Sequence, residues 1–371
     1  MFLAAATLQA AAPFALQGPG VNPADFRVTT FASGLGYPVG MAELSDGSLL
    51  VAVSVGRSFD NSTGALVRLV DADGDGVADG PGTTLASGLP GGLTSLRIAG
   101  NLVFVTGQGV GKPITVLRLG AGPSDALTRV GAMRINYPQG SWLHPHSALA
   151  VRESPGQPGS CDLIFQLGSQ ANLGATTSTA SLSSSDFPGA NGVLEGDSIY
   201  LLTLADTLAG VTATNLTRLA SGLRNAAGFA FQPDTGDLYF EDNGIDGLVD
   251  ANEPTSADEL NRIAAADIGG AVEDFGFPDN YTEYRTGRAV GGAGIQPLIA
   301  FQPLPDPRTG SESEGPNDIA FAPRGFPDGL NRGIFIGFHG RYGSGGLANE
   351  ENPLVYADPA TGHYFHFIGN E

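Results

Sequence analysis

Residues 219–263 read LASGLRNAAGFAFQPDTGDLYFEDNGIDGLVDANEPTSADELNRI, and this stretch decides the fold. Arg224-Asn225 precedes a short apolar run, the turn Pro233-Asp234-Thr235-Gly236 follows, and a second strand pattern runs from Asp237 to Glu241. An acidic loop comes next, closed by Asp258-Glu259-Leu260-Asn261. The first half of this plan recurs at residues 31–54, 85–107, 143–168 and 315–340, each with a Gly- or Pro-rich entry, an apolar strand, a turn and a second apolar strand. Three copies open on the literal Ala-Ser-Gly-Leu, at Ala32, Ala86 and Ala220. Short strands separated by Gly/Asp turns indicate an all-β chain. Self-similarity at roughly 50 residues indicates propeller blades of about four strands each. The expected fold is a six-bladed β-propeller over residues 25–371, with the faintest blade near residues 268–301. No run sustains a helical period.

Composition agrees with this reading. The chain has 55 glycines and 25 prolines in 371 residues, as many tight turns require. A hydrophobic fraction of 42% is enough for a packed core. Net charge is −20, and Lys112 is the only lysine, so a nucleic-acid ligand is disfavoured. Cys161 is the only cysteine, which rules out an intramolecular disulfide and a thiolate metal cage. Residues 1–24 open MFLAAATLQAAAPFALQGPG, apolar and Ala-rich like a secretory leader although without its basic start. A periplasmic or extracellular location is therefore expected. The run is too short and interrupted for a membrane span.

Two loops are rich in hard oxygen donors. Asp71-Ala72-Asp73-Gly74-Asp75-Gly76-Val77-Ala78-Asp79 alternates carboxylates so that Asp71, Asp73, Asp75 and Asp79 can converge on one Ca²⁺ ion. The twelfth position is Gly82 rather than Glu, so this is not a complete EF-hand loop; a solvated acidic turn is the alternative. The second loop, residues 242–253, carries Asp242, Asn243, Asp246, Asp250, Asn252 and Glu253 directly after a blade strand.

The segment from Arg224 to Ile263 resembles the pyrroloquinoline quinone (PQQ) dependent glucose/sorbosone dehydrogenases. Arg224-Asn225-Ala226-Ala227-Gly228-Phe229-Ala230-Phe231, the Pro233–Gly236 turn, Asn243-Gly244-Ile245 and Asp258-Glu259-Leu260-Asn261 carry the likeness. Gly269-Gly270, Phe275-Gly276-Phe277-Pro278 and Phe338-His339-Gly340-Arg341 extend it. The resemblance implies a propeller that holds PQQ and Ca²⁺ and oxidises a sugar, passing electrons to a separate acceptor. It implies His144 as the general base, with His146 as a nearby competitor, since a base titrating near neutrality suits removal of a hydroxyl proton. It implies Arg224 at the quinone oxygens, Asn225 as a cofactor contact, and Gly244 and Ile245 as carbonyl ligands of the cofactor's calcium. Ile245 stands where the family has proline. No late lysine is present, and among Arg324, Arg332 and Arg341 the best placed substitute at the cofactor is Arg341. Two other functions share the fold: a non-catalytic, calcium-stabilised binding propeller and a lactonase- or phytase-type hydrolase.

Overall fold

The computed structural model describes residues 14–138, 141–250, 252–253, 255–310, 313–340 and 352–369. The described residues form sheets that are antiparallel but for one two-residue pairing, with one three-residue 3₁₀ turn, Pro23–Asp25. Blade one is β1 (Gly40–Glu43), β2 (Leu49–Gly56), β3 (Ser62–Leu69) and β4 (Thr83–Pro90). Blade two is β5 (Leu93–Ala99), β6 (Leu102–Gly107), β7 (Pro113–Arg118) and β8 (Thr128–Asn136). Blade three starts with β9 (Leu149–Glu153) and β10 (Ser160–Leu167). The chain then crosses back to add β11 (Thr179–Ser183) and β12 (Gly192–Glu195) to the edge of blade two. It returns to finish blade three with β13 (Ser198–Thr207) and β14 (Gly210–Ser221). Blade four contains β15 (Ala226–Phe231), β16 (Leu238–Asp242) and β17 (Glu259–Ile263).

The expected six blades are five. The stretch read as a faint blade, residues 268–301, gives only two-residue strands. β18 (Glu273–Asp274) lies parallel on β14, β19 (Tyr281–Thr282) and β20 (Ala289–Val290) form a separate ribbon, and β21 (Ile299–Ala300) becomes the fourth strand of blade four. The physical reason is in the residues. A blade is buried on both faces and needs successive apolar positions, whereas this segment is broken by Gly, Asp and Pro every few residues. Blade five is β22 (Pro316–Phe321), β23 (Ile334–Phe338), β24 (Leu354–Asp358) and β25 (His363–Ile368).

The two-residue period of a strand shares each blade's side chains between two neighbours. On β16, Leu238 and Phe240 pack into the core shared with blade three, while Tyr239 packs into the core shared with blade five. Four such shared cores join consecutive blades. The outer faces of blades one and five keep separate clusters, and residues 16–35 drape over both. Leu16 bridges Ile368, Phe26 stacks edge-on against Phe326 and Phe367, and Phe31, Ala32 and Leu35 pack on Val51, Val53 and Leu69. No described helix is long and apolar enough to cross a membrane.

Candidate functional site

In an antiparallel pair, the start of one strand and the end of the next lie at the same end of the sheet. The registers Ala226↔Asp242 and Pro316↔Phe338 therefore place Arg224, the loop after Asp242, Glu314 and His339 at one end of blades four and five. The register Phe165↔Leu149 places His144 and Ser169 at the matching end of blade three. Backbone bonds join these pieces. His144 N–H donates to the Ser169 carbonyl at 3.0 Å, and Ser169 N–H donates to the Arg224 carbonyl at 2.7 Å. Gly168 permits the approach: a Cβ there would lie 2.6 Å from the Arg224 carbonyl oxygen and 2.7 Å from the His144 Cβ.

Arg224 is the centre of the site and is 4% exposed. One terminal nitrogen donates to the Asn243 carbonyl at 3.2 Å. The other donates to Asn172 Oδ1 at 2.7 Å and to Asp246 Oδ2 at 2.8 Å. Asp242 accepts the N–H groups of Arg224 and Asn225 at 2.9 and 2.5 Å, which fixes where the Arg-Asn pair leaves the loop. Asn225 enters this network through its backbone; its carbonyl also accepts from Asn243 N–H at 3.2 Å. The Gly244 loop is braced by Asp258, whose two oxygens accept from Gly244 and Gly315 N–H at 2.6 and 2.8 Å. A Cβ on Gly244 would sit 2.4 Å from the Ser256 carbonyl oxygen, so no larger residue fits this fold-back.

Together Arg224, Gly244, Asp246, Asp258, Glu314 and His339 line a cleft of about 50 Å³. Its electrostatics are those of carboxyls withdrawn from water. Burial pushes Asp242 up to about 6, Asp258 up to about 7 and Glu259 up to about 8. Glu241, fully buried one residue before this loop, is raised well above the ordinary glutamate value by burial, then by Asp318 and Asp258, and neither of its oxygens has a hydrogen-bond partner. Burial, and then the Arg224 charge, lower His144 to about 3, so its imidazole is neutral at ordinary pH.

His144, Arg224, Asn225 and Gly244 are thus brought together. His146 is set apart: it is fully buried, and its Nδ1 pairs with the Tyr137 hydroxyl at 2.9 Å while the rings stack. The carbonyl of Ile245, expected as a calcium ligand, is engaged within the loop. It accepts from Ser256 N–H at 2.9 Å and from the Thr255 hydroxyl at 2.8 Å, which occupies both lone pairs. Arg341 lies outside the described residues. The sequence reading missed Asn172, Ser169 and the bracing role of Asp258. Asn172 and Ser169 lie in irregular chain after β10 with no motif around them, whereas the Asp258-Glu259 run was visible.

The Asp71 loop lies in blade one, between β3 and β4. Carboxylate oxygens of Asp71, Asp73 and Asp75 lie within 4.8 Å of one another. Asp79 stands outside that group and accepts from Ala72 N–H at 2.6 Å. The loop is fastened to the preceding segment by Arg27, which donates to the Gly74 carbonyl at 2.9 Å, and by the Thr29 hydroxyl on the Gly76 carbonyl.

No protein-family model matches the chain. A 60-residue stretch is 45% identical to an uncharacterized protein of Borreliella burgdorferi, spanning 16% of this chain and 14% of that protein. Solved structures give broader likenesses. A Trichoderma reesei carbohydrate-active enzyme of family AA12, solved with iodide, aligns over 90% of this chain and 81% of its own at 18% identity and a TM-score of 0.53. Its calcium structure aligns equally, over 80% of that chain. The PQQ domain of Coprinopsis cinerea pyranose dehydrogenase, in holo form, aligns over 88% of this chain and 76% of its own at 14% identity and a TM-score of 0.53. The chain therefore shares its fold with a PQQ-binding dehydrogenase domain.

Proposed function

We propose that this propeller is an exported PQQ- and Ca²⁺-dependent dehydrogenase acting on a sugar, aldose or polyol. The observation that carries the reading is a set of buried polar atoms left without partners: His144 Nε2 and Arg224 Nε at expected positions, and Ser169 Oγ beside them. Native interiors rarely tolerate such atoms, and their grouping next to a guanidinium suits an anionic, oxygen-rich ligand. The donor chemistry fits PQQ, although the enclosed space admits only the acidic edge of a three-ring molecule. Asp258 and Glu314, together with Gly244, offer the hard oxygens that a calcium ion takes. Bound there, PQQ would supply the two-electron acceptor for hydride leaving the sugar.

The chain's own residues have distinct tasks. Arg224 holds negative charge at a buried, preorganised donor. Asp258 holds the Gly244 loop against blade five through its two N–H bonds. Neutral His144 presents an unpaired Nε2 that takes a substrate hydroxyl proton. Its basicity in the free protein is lowered by burial first and then by the Arg224 charge. Adding PQQ and Ca²⁺ to the purified protein should produce saturable quinone absorbance changes and dye-linked turnover on an aldose panel. Binding without turnover on any aldose or polyol would leave the binding-propeller reading, which the small, capped cleft favours.

The Asp71, Asp73 and Asp75 group, with Asp79 at its edge, is assigned a separate structural Ca²⁺ on the same terms. Export rests on the leader-like opening alone.

A further inference from the structure

Arg224 is almost wholly buried, yet the carboxylate that answers it is not: the Asp246 side chain is 68% exposed. Only one Asp246 oxygen reaches the guanidinium, at 2.8 Å. The rest of its hold on the site is backbone, with its carbonyl accepting from Asn172 Nδ2 at 2.6 Å and its N–H donating to Asn172 Oδ1 at 3.3 Å. Behind the pair, Arg224 Nε, His144 Nε2 and Ser169 Oγ remain unpaired and shielded from water. Asp246 therefore covers the charge of Arg224 but leaves its neighbours unsatisfied. A bound carboxylate ligand could meet both needs, and an exposed side chain on a loop gives way with little loss of packing.

We propose that Asp246 is a built-in stand-in for the carboxylate of an acidic ligand. In the free protein it occupies the ligand's seat on Arg224, and it turns into solvent when the ligand arrives. The dehydrogenase reading enters only in naming that ligand as PQQ. Two consequences follow. Affinity is reduced by the fraction of molecules in which Arg224 is still capped. The seat also selects for acids, because a neutral ligand cannot replace the charge that Asp246 withdraws.

Asp246→Asn tests this, since it keeps the side-chain shape and removes the charge. Calorimetric titration with benzene-1,3,5-tricarboxylate, without calcium and at low salt, reads the seat alone. Absorbance titration with PQQ in calcium reads the proposed cofactor. Both dissociation constants should fall about tenfold in Asp246→Asn. The Asp246→Asn/Arg224→Gln double variant should lose that gain. Equal or weaker binding of both probes by Asp246→Asn overturns the proposal, and weaker PQQ binding alone would mark Asp246 as a calcium ligand and overturn it too. Tighter tricarboxylate binding with no PQQ binding by either protein supports the seat and removes the dehydrogenase reading instead.

Discussion

The molecule carries two acidic loops, and they are built in opposite ways. The Asp71 loop of blade one satisfies itself: Asp71 accepts from Asp75 and Gly76 N–H at 3.1 and 2.8 Å, and Asp75 accepts from Val77 N–H at 2.8 Å. Desolvation works against ionisation of Asp71, but the N–H donors of Gly76 and Asp75 outweigh it, and its carboxyl is held below the ordinary range. In the loop of blade four Asp242 and Asp258 also accept two N–H bonds each, but they do so inside the fold and beside unpaired groups. Asp242, Asp258 and Glu259 are pushed upward by burial, and the nearby His144, Ser169, Arg224 and Glu241 leave polar atoms unpaired. An exposed loop of satisfied carboxylates gains little from a ligand. Buried carboxyls beside unpaired polar groups are held in place by the blades around them, and that neighbourhood gains much. The difference supports the proposal of chemistry at blade four and of at most a staple at blade one.

The largest effect that would sharpen this contrast is on turnover. His144→Ala should cut PQQ-dependent rate by about 10²–10⁴ while leaving PQQ affinity largely unchanged, measured by dye reduction and quinone titration on the same sample. Equal turnover in the variant would move the base elsewhere and remove His144 from the site.

A smaller effect is structural. Gly168→Ala places a methyl 2.6 Å from the Arg224 carbonyl oxygen and 2.7 Å from the His144 Cβ, and neither backbone-fixed group can swing aside. Overpacking of this kind costs about 1–3 kcal/mol, to be read from urea unfolding. Turnover per folded molecule should fall with it, because the variant separates His144 from Arg224. A comparable substitution at Gly74, where an added Cβ meets nothing within 4 Å, serves as the blade-one control. Gly74 has a positive φ of 71° and Gly168 does not, so the control carries a backbone strain of its own and no overpacking.

Glu241 gives a pH signature. A carboxyl raised in the folded state costs nothing while both states are protonated, below the ordinary value of 4.5. Above that value the unfolded chain ionises freely and the folded chain resists, so stability falls as pH rises until the folded pKa is passed. Glu241→Gln should flatten the decline of melting temperature with pH above 4.5. An unchanged slope would show that Glu241 is solvated or paired in solution.

Much of the fold was legible and part of the site was not, for physical reasons. Repeats with two apolar strands and a turn announce themselves, because each blade must bury both faces; all five such repeats form blades. Residues 268–301 were counted as a blade on spacing, although their density of Gly, Asp and Pro cannot supply two buried faces. His144, Arg224 and Gly244 could be placed because they abut strand ends that the register aligns. Asn172, Ser169 and the capping role of Asp246 could not, since they depend on how loops from blades three and four fold over one another.

The smallest expected effect belongs to blade one, and it is where the contrast is most easily broken. Asp71, Asp73 and Asp75 bring oxygens within 4.8 Å, but Asp79 is spent on Ala72 N–H and Gly82 stands where a bidentate glutamate would complete the shell. Three carboxylates without that closure suit a weak site, with a dissociation constant on the order of 10⁻⁴–10⁻³ M. At about 1 mM calcium such a site stabilises the fold by roughly 0.4–1.4 kcal/mol. Asp73→Ala should therefore lower the melting temperature slightly in calcium and leave it nearly unchanged in chelator, since its one backbone bond, from Asp75 N–H at 3.2 Å, is shared with Asp71. Equal shifts in both conditions would reduce the loop to an acidic turn. A loss as large as that of Gly168→Ala would show that blade one depends on its ion as strongly as the junction of blades three and four depends on its packing, and the contrast between the two loops would fail.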